Sequence, residues 1–457
     1  MRPRETELAP GADEPPPPDK GQPHRRPMDR LRDATAEPPP GPFRTGWWKS
    51  PVRGPWLTSY FGSILLVGIP VMFLTGLVSY ASYNPRLPGN DTTPGKGILG
   101  FYLFSWVTNP SWIYRVSEGT HVVLGLTLVP IVLAKLWSVI PKLFEWPGVR
   151  SVAHSLERLS LMLVVGGAIF EFATGIADTE YYYPWKFDFY QAHLYGAWVF
   201  IVGFVVHVCL KLPTMWRSLQ RYSLREIFST PLARTRPEPG DGHGLVASHP
   251  LPPTISRRGV LGLVGGSAAA VFLLTAGGTV RALRPLALLS PRARSRGTGP
   301  HPEANDFEVN RVFAATGIPV FATGDSWRLV LSGPRTVSLS RPELMAMPLA
   351  TEVLPIACVE GWSTVQTWTG VRLLDLAQLA GVDHATDVEV ESLEKPGQPF
   401  RSVTLASNQA SDPQTLLALC VNGEDISLDH GYPARMIVPA APGVHCTKWV
   451  SELRFLT

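Results

Sequence analysis

Five runs of about twenty apolar residues constrain this chain more than any other feature. They are Thr58–Tyr80, Val116–Trp137, Ser155–Ala177, Gln191–Leu212 and Gly259–Val280. About 20 helical residues cross a bilayer core of roughly 30 Å. Backbone in lipid must satisfy its own hydrogen bonds, so each run is predicted as a transmembrane helix. The first four follow one another through short connections, as a four-helix bundle requires. This gives a bundle domain over 51–220, a polar cytoplasmic linker over 221–258, a fifth helix over 259–280 and a second linker over 281–303. Residues 304–457 alternate short apolar runs with turn residues and read as a soluble α+β domain, with strands at Trp327–Ser332 and Asp387–Ser392 and a short helix at Leu373–Ala380.

Residues 1–50 read as a disordered tail, because the runs Pro15–Pro18 and Pro38–Pro40 and the scattered charges cannot bury a core. No apolar segment follows Met1, so a cleavable signal peptide is not expected. The net charge of +4 is too small to point to nucleic acid, and most Lys and Arg flank the apolar runs. Before the first run, between the second and third, and between the fourth and fifth, Lys and Arg number 10, 2 and 7; the other two connections carry 3 and 1. That bias places the N-terminus in the cytoplasm and, after five spans, the C-terminal domain outside. Arg281, Arg284, Arg292, Arg294 and Arg296 after the fifth run oppose it. The segment Ser256-Arg257-Arg258 before a Gly/Ala-rich helix resembles a twin-arginine export signal, which fits a domain that folds before crossing. Two arginines at a cytoplasmic helix end are the plainer alternative.

Four of the 11 histidines lie in or at the ends of the apolar runs: His121, His154, His193 and His207. On one helix, His193 and His207 are separated by about 21 Å of rise and a rotation of roughly −40°, so they share a face at two depths. The orientation pairs His121 with His193 near the outer surface and His154 with His207 near the inner one. Two bis-histidine pairs stacked through a bilayer are what two b-type haems need as electron carriers, and ionisable residues in a membrane are costly enough to be functional by default. An interhelical hydrogen bond is the alternative for any single one. The region resembles cytochrome b561-type membrane subunits, which exchange electrons with quinones.

The four cysteines, Cys209, Cys358, Cys420 and Cys446, form neither a CxxC motif nor a disulfide framework. Cys358 opens the run Cys358-Val359-Glu360-Gly361-Trp362-Ser363 after a strand-like stretch. Further on come His430-Gly431-Tyr432-Pro433-Ala434-Arg435 and Gly443-Val444-His445-Cys446-Thr447-Lys448-Trp449. A thiolate in a Gly-containing loop is a soft metal donor, and loops carrying Arg435 and Lys448 offer cations to a phosphate. Taken singly, a buried structural cysteine and surface cations explain these residues as well.

In order and spacing the set resembles sulfite-oxidase-type molybdopterin-dependent oxidoreductases, and among them the catalytic subunits of periplasmic methionine-sulfoxide reductases, over about Asp306–Thr457. The resemblance implies that Cys358 ligates molybdenum and that Glu360 lies beside the metal. It further implies that Asn310, Arg311, Ser392, His430, Arg435, Cys446, Thr447 and Lys448 contact the pterin. His430 stands where the reductases have Asn and resembles the His of sulfite oxidases. Together these readings imply a molybdenum-dependent oxidoreductase in the cell membrane, with molybdopterin and two b haems. Its expected partners are lipid, a quinone and an extracytoplasmic sulfoxide-like substrate, either a small molecule or a protein. The reverse direction, oxidation of a sulfite-like compound, and a silent binding module on a haem-bearing anchor are the alternatives. Nothing in the sequence sets the oligomeric state.

Overall fold

The structure, a computed structural model, describes residues 37–83, 106–146, 152–180, 182, 184–187, 189–240, 244–290, 294–295, 301–384, 386–398 and 400–456. Four long helices, α1 (Pro55–Ser82), α2 (Ile113–Leu143), α3 (Val152–Thr179) and α4 (Phe189–Leu219), precede a short α5 (Leu224–Ser229) and the 19-residue α6 (Arg257–Thr275). All but α5 are long and apolar enough to cross a membrane. Each extends beyond or shifts from its predicted run by a few residues, because the flanking polar turns also take up helix. Pro55 occupies the first turn of α1, where its missing N–H costs nothing, and Ser256 caps α6 by accepting from the Gly259 N–H.

Large apolar side chains such as Leu74, Leu133, Val199 and Val202 face outward and exposed. A water-soluble bundle would not leave so many uncovered, whereas a lipid-facing surface requires them. Inside, Trp56, Leu57, Phe61, Leu128 and Ile131 pack with Val260 and Leu261 of α6, which lies against α2.

The segment read as a cytoplasmic linker is fixed to the bundle. Trp56 donates its indole N–H to the Tyr222 carbonyl and its backbone N–H to Glu238, and Arg257 faces the same carboxylate at 3.8 Å. The expected N-terminal disorder falls mainly on residues 1–36, outside the described residues. Phe43 and Trp48 instead pack their rings on Phe144 at the end of α2. Of the arginines after the fifth span, Arg284 pairs with Glu308 of the C-terminal domain at 2.7 Å; Arg292 and Arg296 lie outside the described residues.

The C-terminal part is α+β and begins with a two-stranded antiparallel pair, β1 (Arg294–Ser295) and β2 (Phe307–Glu308). One described sheet has the order β10–β9–β6–β5, with β11 added to β9. Its strands are β5 (Ala350–Ala357), β6 (Ser363–Arg372), β9 (Leu416–Val421), β10 (Glu424–Asp425) and β11 (Arg435–Ile437), all antiparallel. A second has the order β4–β3–β12–β7–β8, from β3 (Arg328–Ser332), β4 (Val337–Ser340), β7 (Asp387–Ser392), β8 (Ser402–Leu405) and β12 (Val450–Leu456). In it only β3 and β12 run parallel. Strand β7 coincides with its predicted range and alternates as its sequence does, burying Val388, Val390 and Ser392. Strand β9 is central and almost wholly buried, so its sequence is a continuous apolar run. The predicted helix at 373–380 is present over Leu373–Leu379.

Candidate functional site

Helices α1 and α2 run antiparallel, with Ser79 donating to Glu118 at 2.5 Å at the end that meets the C-terminal domain. One turn inward, His121 places Nδ1 2.9 Å from the Met72 carbonyl and 3.2 Å from Thr75 Oγ1. On α4, His193 places Nδ1 2.9 Å from Thr174 Oγ1 and 3.2 Å from Glu171. These contacts occupy one nitrogen of each ring and orient it, leaving Nε2 outside them, the arrangement that prepares a histidine as a metal ligand. The two rings lie 6.2 Å apart, centroid to centroid, with planes at 89°. Metal–imidazole bonds of roughly 2 Å on each side fit within that separation. The rings line a cavity of about 1060 Å³ together with Phe73, Tyr190 and Trp198. Gly76 and Gly175 are needed there, since an added Cβ would stand 3.0 Å from the His121 ring and 3.3 Å from that of His193. The predicted outer pair is brought together.

The inner pair is not. His207 lines a second cavity, of about 1320 Å³, with Lys135, Glu157 and Lys211, and His154 is absent from its lining. Glu157 of α3 pairs with Lys211 of α4. His154 precedes Glu157 and His207 precedes Lys211, so in antiparallel helices they lie on opposite sides of that ion pair, roughly 10 Å apart along the axis.

In the C-terminal domain, β5 delivers Cys358 into a tight loop closed by Cys358 N–H donating to the Trp362 carbonyl and Gly361 N–H donating to the Cys358 carbonyl. Gly361 has φ 79°, a conformation that favours glycine. Cys358 is buried, and Glu360 accepts from the Trp362 indole at 2.5 Å. A cavity of about 340 Å³ nearby is lined by Asn310, Arg311, Cys446, Thr447 and Lys448, so five of the predicted pterin contacts converge.

The other three support that cavity without lining it. Arg435 is buried beneath it, donating to the Cys446 and His430 carbonyls. His430 stacks on Phe307 at 3.6 Å and is tied to the Asn305 carbonyl. Ser392 accepts from the Glu394 N–H, and Glu394 in turn pairs with Arg311 at 2.9 Å.

Burial, reinforced by Arg435, holds the Lys448 ammonium well below the usual lysine range. Burial alone brings Arg435 down to about 10. Glu394 is pushed up by burial, against the pull of Arg311. Arg311 and Lys448 thus line the cavity with Arg435 behind them, and the carboxylates acting on Lys448 are those of Asp429 and Glu394. Basic and hydrogen-bonding side chains gathered at one cavity suit a phosphate-bearing ligand. Glu394 carries no sequence signal of its role, and neither does His445, whose two buried ring nitrogens have no hydrogen-bond partner among the described residues and which burial lowers to about 4.

The two sites adjoin. Val359, next to Cys358, lines the outer histidine cavity. Arg115 of α2 donates to Ser363 at 2.9 Å, Thr279 donates to the Gly361 carbonyl at 2.5 Å, and Trp106 donates to the Ala440 carbonyl at 2.7 Å. The His445 ring lies 6.0 Å from that of Tyr83 at the end of α1.

Residues 315–457 match the oxidoreductase molybdopterin binding domain family. The C-terminal domain is a molybdopterin-dependent oxidoreductase domain. The chain is 32% identical over 146 residues to a protein-methionine-sulfoxide reductase catalytic subunit MsrP of Gluconobacter oxydans, covering 28% of this chain and 47% of that protein. It is 30% identical over 150 residues to a putative protein-methionine-sulfoxide reductase subunit YedZ1 of Azospira oryzae, covering 32% and 52%. It is 31% identical over 102 residues to a sulfite oxidase of Arabidopsis thaliana, covering 20% and 26%. The chain therefore spans about half the length, or less, of these curated relatives. The Cys358 loop lies on the face of this domain that meets the helices.

Proposed function

We propose that this protein is a membrane-bound molybdenum oxidoreductase that exchanges electrons between the quinone pool and an extracytoplasmic substrate, in the direction of reducing a sulfoxide-like compound. One observation carries the reading: the loop holding Cys358 is seated on the cavity that holds His121 and His193, with Val359 in its wall.

His121 and His193 would hold a b-type haem. Cys358 would ligate molybdenum, and Arg311, Arg435 and Lys448 would hold the pterin phosphate, with Asn310, Cys446 and Thr447 completing the cavity. When bound, the molybdenum pterin moves an oxygen atom to or from substrate and the haem carries single electrons. The protein's own part is placement. Thr174, Glu171 and the Met72 carbonyl fix the two imidazoles. Trp362, buried, accepts the Cys358 N–H at its carbonyl and so fixes the loop that presents the thiol. Arg115, Thr279 and Trp106 clamp the loop to the bundle, which holds donor and acceptor at contact without a diffusional encounter. The methionine-sulfoxide reductases among the relatives support the reductive direction.

The test is stopped-flow spectroscopy on purified protein. Reduced haem that reoxidises on adding methionine sulfoxide supports the proposal. Oxidised haem that is reduced on adding sulfite reverses the direction. No change with either compound, in protein containing molybdenum and haem, removes it.

A further inference from the structure

The inner cavity repeats the outer one with a single ligand exchanged. On α2, Lys135 lies 14 residues after His121, and on α4, His207 lies 14 residues after His193. Fourteen helical residues return to nearly the same face about 21 Å along the axis, so Lys135 stands to His207 as His121 stands to His193. Helix α1 carries the same period. Gly76 faces His121, where an added Cβ would stand 3.0 Å from the ring, and Gly62, 14 residues earlier, faces Lys135, where a Cβ would stand 3.1 Å from Nζ. Lys135 and His207 line one cavity, as His121 and His193 line the other. His207 Nδ1 is buried there without a hydrogen-bond partner, and Lys135 Nζ donates to the Thr58 carbonyl at 2.7 Å.

We propose that the inner cavity takes a second b-type haem with Lys135 and His207 as its axial ligands, in place of the His154–His207 pair. The inference rests on the bundle being a haem carrier. The lysine side chain is long and flexible, so Nζ can swing from the Thr58 carbonyl into the cavity it lines. An amine nitrogen, like an imidazole nitrogen, binds iron through its lone pair. The exchange makes the two haems chemically different: bis-imidazole at the outer end, amine–imidazole at the inner.

Haem content per chain and near-infrared magnetic circular dichroism, which separates amine–imidazole from bis-imidazole iron, test this on purified full-length protein. The wild type is expected to hold two haems with two distinct ligand-to-metal bands. Lys135→Ala and His207→Ala should each leave one, the bis-imidazole haem, which also reports that the bundle has folded. Lys135→His should restore the second haem and merge the bands. Two haems in Lys135→Ala, two bis-imidazole haems in the wild type, or loss of the inner haem in His154→Ala would each overturn the assignment. A wild type whose only haem is lost in His193→Ala and kept in His207→Ala overturns it too, while leaving the proposed function standing. Protein with no haem at all would bring down both.

Discussion

Gly361 of the cysteine loop lies directly against Val122 of α2: a Cβ added at 361 would stand 2.6 Å from the Val122 side chain, and the residue has φ 79°. Val122 follows His121, and Gly361 is three residues past Cys358, so this contact sets the distance between the two sites. Gly361→Ala is expected to slow haem reoxidation by substrate at least tenfold, while turnover driven by a viologen dye falls less. Adding Val122→Ala should recover part of the loss, the remainder being the cost of about 1 kcal/mol for a side chain at positive φ. Equal losses in both assays would mean that the glycine serves the cysteine loop alone.

Cys358→Ser should abolish turnover with either electron source while leaving the haem spectrum and its reducibility intact. An oxygen ligand is harder than a thiolate and a poorer match for the centre. Substantial activity in the variant would remove Cys358 as the metal ligand.

Glu171 lies 3.2 Å from His193 Nδ1, the nitrogen away from the proposed iron. A carboxylate there makes the imidazole a stronger donor and stabilises ferric haem. Glu171→Gln is therefore expected to raise the midpoint potential of the outer haem without loss of haem. A potentiometric titration checks this; an unchanged or lowered potential would place the carboxylate outside the ligand's influence.

His445 is fully buried, and burial takes its ring from 6.5 down to about 4. Between those values the unfolded chain binds a proton that the folded one does not, so stability rises with pH over that window. It is fully present above about 6.5 and is lost as the pH falls towards 4. At about 1.4 kcal/mol per pH unit the contribution is about 3 kcal/mol. His445→Phe should flatten the fall in melting temperature between pH 6.5 and 4.5, measured on detergent-solubilised protein. A parallel fall in wild type and variant would show that another group titrates.

Arg257 and Arg258 differ sharply in setting. Arg257 is buried beside Glu238, whose side chain is wholly inaccessible, while Arg258 is exposed. Removing one partner of a buried pair costs about 3–5 kcal/mol. Arg257→Ala is expected to lower the yield and melting temperature of membrane-inserted protein, and Arg258→Ala to leave the melting temperature unchanged. Equal effects on yield, with equal melting temperatures, would show that the pair serves export only.

The apolar runs alone determined the five helices, because a bilayer leaves a twenty-residue apolar segment no other way to satisfy its backbone. The alternation of Asp387–Ser392 likewise determined a strand, and the motif around Cys358 pointed to its cofactor class. Those signals are local, carried by neighbours in the chain. The pairing of histidines across helices is not local. His154 and His207 look depth-matched when only span ends are counted, but the Glu157–Lys211 pair sets the register of α3 against α4 and moves them apart. Lys135 carries no chemical mark of a ligand in sequence, and only the shared face of α2 brings it beside His207. His445 was in plain view within its motif, but its burial, with no hydrogen-bond partner among the described residues, follows from domain packing. Periodicity fixes what each segment is; the side-chain contacts between segments, which no single segment encodes, decided which residues meet.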